Sequence, residues 1–138
     1  MYGVKERRAR LLKNAAKVGC NAVVAFEPEN TFYLTGFWGE AITICTDDHT
    51  KLIAPKLEFA RAEQSSIDCE VVPTERGSEF LSTLVSQLGN RKACADVQDY
   101  ATVTRIRDLG ANLLIDTGPF FQTREIKDND EIRVITKA

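Results

Sequence analysis

The sequence predicts an α/β fold, one mixed β-sheet with helices on both faces, on three observations. Between residues 69 and 115, short apolar runs alternate with helix-period segments, which implies parallel pairing with helices packed on the sheet. Two short strands upstream flank Asp47-Asp48-His49, the pattern of an antiparallel hairpin. No Pro/Gly/Ser-rich linker or low-complexity segment divides the 138 residues, and 43% apolar content is enough for one domain with a sizeable core.

Each element has its own signal. A first helix is expected over about Val4 to Val18, where Leu11, Leu12, Ala15 and Val18 recur at helical spacing and Gly19 ends it. Asn21–Phe26 is a short apolar strand stopped by Glu27-Pro28. Asn30 is placed to cap a single helical turn, Thr31 to Leu34. Ala41–Thr46 and Thr50–Ala54 are the hairpin strands, and Pro55 is expected to open a helix reaching about Ser66, because its fixed φ suits a first turn. Then come a strand at Cys69–Val72, a helix at Ser78–Leu88 with Phe80, Leu81, Leu84, Val85 and Leu88 on one face, a strand at Lys92–Ala95, a helix at Asp99–Leu109 and a strand at Asn112–Ile115. Gly89-Asn90 and Gly110 are the helix stops. In the tail, Asp128 with Glu131 three residues on forms a capping box for a last helix, barely three turns long when the sequence stops at Ala138. That ending is expected of a chain cut from something longer.

Composition narrows the function classes. A net charge of −2 exerts no global pull toward nucleic acid or a membrane. Lys5, Arg7, Arg8, Arg10, Lys13 and Lys17 make the first helix basic, and a solvated face is the plain reading. No apolar run is long enough to span a bilayer, and residues 1–18 lack the apolar core of a signal peptide, so a cytoplasmic protein is expected. Cys20, Cys45, Cys69 and Cys94 form no C-x-x-C, and one histidine cannot complete a Cys/His zinc cage, so buried free thiols are expected.

The most unusual stretch lies between Asn30 and Glu40. Gly36 and Gly39 bracket Phe37 and Trp38, the only Trp, in a segment that breaks both helical and strand periodicity. A shaped loop that displays two large aromatic groups has something to cover: a ligand, a partner or its own core. One of the two rings is expected to pack inward. The pattern Pro-Glu-Asn-x-x-Tyr-Leu-Thr-Gly-Phe-x-Gly-Glu (Pro28 to Glu40) resembles the amino-terminal domain of the creatinase/prolidase/Xaa-Pro aminopeptidase family. So does Arg-x-x-Lys-x-x-x-Glu-Ile-x-x-Ile-x-x-Ala (Arg124 to Ala138), which looks like the stretch joining that domain to the family's catalytic half.

The resemblance implies a ribonuclease H-like mixed sheet over residues 1–124, with residues 125–138 beginning a linker helix toward an absent catalytic domain. It implies a non-catalytic domain of a metal-dependent Xaa-Pro dipeptidase or aminopeptidase, supporting a homodimer and capping the active site of the neighbouring subunit. On that likeness Gly36, Phe37, Trp38, Gly39 and Glu40 form the substrate-shaping loop, and two divalent ions, manganese or cobalt, belong to the family's carboxyl-terminal half. Trp38 stands at a position where relatives vary, so substrate preference is not transferred.

The residues themselves offer little chemistry. His49, beside Asp47 and Asp48, reads as turn chemistry rather than a metal ligand. Asp96 and Asp116 each follow a predicted parallel strand, where sites of open α/β sheets gather, and two such carboxylates hold metal in some nucleases. Asp after a strand is also a common helix or turn initiator, and no third acid is evident. No G-x-S-x-G, P-loop or G-x-G-x-x-G is present. The alternative to an accessory peptidase domain is a stand-alone protein- or nucleic-acid-interaction module using the basic helix or the aromatic loop.

Overall fold

The computed structural model describes residues 3–96 and 99–125. Among these, the strands β1 (Ala22–Ala25), β2 (Ile42–Cys45), β3 (Thr50–Pro55), β4 (Glu70–Thr74), β5 (Lys92–Ala95) and β6 (Asn112–Ile115) form one sheet in the order β4-β3-β2-β1-β5-β6. β2 pairs antiparallel with both β1 and β3; β1 with β5, β5 with β6 and β3 with β4 are parallel. The helices are α1 (Val4–Ala16), α2 (Pro28–Thr35), α3 (Phe59–Ser65), α4 (Ser78–Leu88), α5 (Tyr100–Asp108) and α6 (Gly118–Glu125). The mixed sheet expected from the sequence is therefore observed.

Strand side chains alternate, so each strand feeds both faces. Val24, Ile44, Ile53 and Ala95 pack beneath Phe80, Leu84 and Leu88 of α4 and Ile106 of α5. Val23, Ala25, Cys45 and Cys94 meet Leu11 and Ala15 of α1, Leu34 of α2 and Phe120 of α6. On the same side as the latter, Leu52 and Ala54 pack against Ala62 of α3. Phe80, Leu84 and Leu88 stand one turn apart along the buried stripe of α4, as its sequence period requires.

Several expectations are corrected. Pro55 closes β3 instead of opening a helix: its ψ is 148°, and a short 3-10 turn at Lys56–Glu58 precedes α3. Helix α2 begins at Pro28, with Glu27 in the cap position, so Asn30 lies inside the helix and does not cap it. α6 was not expected from the sequence. The first helix ends at Ala16, leaving Val18 outside it and exposed. Arg7 and Arg8 turn inward, so the basic face of α1 is only partly a solvated one. The tail helix over 128–138 lies outside the described residues.

Helix α2 is positioned from both ends. The Asp96 carboxylate, just past β5, accepts from the backbone N–H of Phe26 (2.7 Å) and Glu27 (3.2 Å) and from Asn30 Nδ2 (2.7 Å). Asn30 Oδ1 in turn accepts from Arg124 Nη1 of α6 at 3.2 Å. At the other end, Gly36 N–H donates to Phe32 O, Arg7 Nη1 to Tyr33 O, Arg8 Nε to Leu34 O, and Ile67 N–H to Thr35 O. The last four carbonyls of the helix are thus all satisfied, Phe32 O by the local Gly36 N–H and the other three by groups distant in sequence.

Two outcomes follow for folding. Leu84 is fully buried, so Leu84→Ala is expected to cost about 2–5 kcal/mol in a denaturant titration, through lost transfer energy and the cavity left behind. Asp96→Ala removes the acceptor of three donors and should cost about 2–3 kcal/mol. Burial raises the Asp96 pKa, although the three donors oppose the shift. A carboxyl that binds its proton more tightly when folded contributes stability below its unfolded pKa and loses it as pH rises through the folded value. Wild-type stability should therefore carry a decline upward from the ordinary carboxylate range that Asp96→Ala lacks.

Candidate functional site

The segment Gly36–Glu40 leaves α2 and enters β2 at the edge of the sheet where β1, β3, β4, β5 and β6 end. In open sheets this carboxyl edge is where binding groups collect. Gly36 terminates α2 in the left-handed region, φ 82°, and a Cβ there would press on Ile67 Cδ1 at 3.2 Å and Ser65 O at 3.3 Å. Thr35 Oγ1 donates back to Thr31 O at 2.7 Å and accepts the Phe37 N–H at 3.1 Å, which turns the chain sharply out of the helix.

From that turn the two aromatic residues part. Phe37 has 0% exposure and fills the space between α3 and the sheet with Ala41, Leu52, Ala54 and Ala62. Trp38 is 54% exposed. Its indole lies edge-to-face against Phe32 of α2, itself 42% exposed, with centroids 6.1 Å apart and planes at 73°. Gly39 is required by closeness: a Cβ would overlap the Arg61 guanidinium and stand 2.8 Å from the tip of the Phe37 ring. Glu40 pairs with Arg76 in the β4–α4 connection at 3.0 Å, a half-exposed contact worth about 0–1 kcal/mol.

Beside the loop lies an open groove of about 550 Å³, floored by Phe26, Ala41, Ile42, Phe80 and Leu81 and bordered by Glu40. A second depression, about 610 Å³, opens at the other end of β2 between α1 and the hairpin turn, and His49 lines it. The His49 ring sits 3.4 Å from Thr46 Oγ1, while its backbone closes the turn by accepting the Thr46 N–H at 2.9 Å.

The other candidates are engaged structurally. Asp96 holds the start of α2, and Asp116 Oδ1 accepts the Gly118 N–H at 2.8 Å, opening α6. Asp96 thus serves the distant β1–α2 connection, and Asp116 its own turn. Among the described residues no group of three His, Cys, Asp or Glu converges as a metal ligand set. The four cysteines are free. Burial pushes the Cys94 thiol up to about 12 and raises those of Cys20 and Cys45, the opposite of what a nucleophilic thiolate needs.

Sequence reasoning overlooked Phe32 and Arg61. Phe32 lies two residues before the Leu34 that packs inward, and helical spacing alone would have turned it outward. Arg61, 23 residues from Trp38, carries no local signal at all. The start of α6 did have one, since Gly118-Pro119 places a proline in a first helical turn.

Comparison with known proteins bears on the family and the fold. The Creatinase/Prolidase N-terminal domain profile matches residues 7–126. Among curated proteins none matches the chain. The fold resembles that of a Xaa-Pro dipeptidase from Bacillus anthracis (TM-score 0.85, 16% identity, covering 98% of this chain and 39% of that one). It also resembles a prolidase from Pyrococcus furiosus (TM-score 0.77, 22% identity, 94% and 41% covered). A third likeness is to the N-terminal domain of the cytoplasmic peptidase PepQ from Mycobacterium tuberculosis (TM-score 0.74, 20% identity, 86% and 98% covered). The chain therefore spans about two-fifths of the length of the two whole enzymes and nearly the whole of the solved single domain. No helix among the described residues is long and apolar enough to cross a membrane. Because that profile matches residues 7–126 of the 138, the chain belongs to the creatinase/prolidase amino-terminal domain family.

Proposed function

We propose that this chain is the non-catalytic amino-terminal domain of a metal-dependent Xaa-Pro dipeptidase or aminopeptidase. In this reading it supports a homodimer and uses the Gly36–Glu40 loop to cap the active site of the neighbouring subunit. The observation that carries it is the parting of the two loop aromatics. Phe37 is sunk in the core as an anchor, and Trp38 is held out at the carboxyl edge of the sheet, more than half exposed. Family membership and the two-fifths span of whole dipeptidases support placing catalysis in a further domain.

The chemistry of the donor set points the same way. Hydrolysis of the bond before proline by a metal-activated water needs several carboxylates and histidines around the ions. The described residues supply no such cluster, so they do not fit a manganese or cobalt pair, and this chain holds neither ion in the proposal. Its contribution is shape. An apolar lid over a neighbouring pocket narrows the entrance, limits peptide length and excludes water from the reacting bond.

The 138-residue chain alone is expected to hydrolyse no Xaa-Pro dipeptide with manganese or cobalt supplied, whereas a longer protein containing it should. In that longer protein Trp38→Ala is expected to raise KM, or to shift substrate-length preference, by about threefold or more. Metal affinity should stay within about twofold of wild type. Turnover by the isolated domain, or identical kinetics across a peptide-length series, would defeat the proposal.

A further inference from the structure

Arg61 of α3 ties the Phe37–Trp38 pair of the loop to Glu58. Its Cζ lies 4.7 Å from the centroid of the buried Phe37 ring. Nη1 donates to the Trp38 carbonyl at 2.8 Å, and Nε donates to Glu58 Oε2 at 2.8 Å, with Nη2 reaching the same oxygen. A guanidinium is planar and forked, so one face can lie on a ring while two edges serve separate acceptors. Thr35 and Arg76 hold the two ends of the loop, at Phe37 and Glu40, and Arg61 holds its middle. Gly39 leaves the room in which the guanidinium sits, since a Cβ there would occupy the same space.

We infer that Arg61 is the positioning residue for Trp38: clamped between Glu58 and the Phe37 ring, it fixes the backbone that presents the indole beside Phe32. The geometry also explains the spacing of the aromatic pair. Phe37 supplies an apolar floor for the cation, and the adjacent residue offers its carbonyl to the cation and its ring to solvent. Preorganisation of this kind reduces the ordering cost of any later contact. Its consequence for peptide entry rests on the function proposed above; the mechanical role of Arg61 does not.

Trp38 is the only tryptophan in the sequence, so its fluorescence reports this loop alone. The test is time-resolved fluorescence anisotropy and acrylamide quenching of this chain, with far-ultraviolet circular dichroism as the check on folding. Arg61→Ala is expected to double, roughly, the amplitude of fast indole motion and the quenching constant while the dichroism stays unchanged. Arg61→Lys should resemble Arg61→Ala, because an ammonium on a flexible stem can pair with Glu58 but cannot also cover the ring and bridge to the carbonyl. Gly39→Ala approaches the clamp from the opposite side and should give a similar rise, which keeps the test available if Arg61→Ala fails to fold. Unchanged anisotropy in a folded Arg61→Ala chain, full recovery by lysine, or an unmoved Gly39→Ala would overturn the inference. The outcome is independent of peptidase kinetics: a mobile indole in Arg61→Ala upholds the clamp even if Trp38→Ala leaves the longer protein's KM untouched.

Discussion

Eight residues of helix do not hold their shape in water, yet α2 aims the aromatic loop that follows it. It survives because both ends are tied to other parts of the fold. At its start, one buried carboxylate at the end of β5 gathers two backbone N–H groups and the Asn30 amide. At its finish, arginines from α1 and the backbone of Ile67 take the open carbonyls that a longer helix would satisfy internally. The aromatic loop begins at the next residue, so its direction is inherited from these ties. Asn30 extends them further, since the same amide that donates to Asp96 accepts from Arg124 on α6.

The arginines of α1 show how charge is used for structure. Arg8 is buried yet satisfied, donating to the carbonyls of Leu34, Ile67 and Asp68 from a single side chain. Burial lowers its pKa from the ordinary value, but a guanidinium starts so far above neutrality that it keeps its proton. Three carbonyl dipoles replace its water. Lysine could not span the same acceptors, because its three donors radiate from one nitrogen. Arg7 lies over the Tyr33 ring, 4.6 Å from the centroid, and adds the aromatic face to the same attachment.

Family membership and local geometry meet at the loop. The expected inward ring is Phe37, which belongs to the hydrophobic cluster under α3 and cannot reach a partner without unpacking it. Gly36, Gly39 and Glu40 shape and tether the segment, leaving Trp38 with Phe32 as its displayed surface. Within the five residues assigned to substrate shaping, direct contact therefore falls to the indole in the proposed role, and the other four act through backbone path and packing.

The sequence by itself determined the order of the six strands and of the helices up to α5, the sheet's mixture of parallel and antiparallel pairs, and the buried face of α4, because these depend on periodicity and neighbouring residues. It also marked Pro28 to Glu40 as the segment of interest, through two glycines bracketing an aromatic pair, although only Gly36 uses glycine's backbone freedom and Gly39 is placed by its distant neighbours. Tertiary structure alone decided the direction of each ring, the inward turn of Arg7 and Arg8, the use of Asp96 as an anchor for α2 and the clamp by Arg61. The arginine, Asp96 and Arg61 contacts join residues 23 to 70 positions apart, and the indole's place beside Phe32 depends on how they hold α2 and the loop. A polar side chain looks the same in a string of letters whether it ends in water or on a distant carbonyl; the difference is made when the sheet assembles and brings the acceptor within reach.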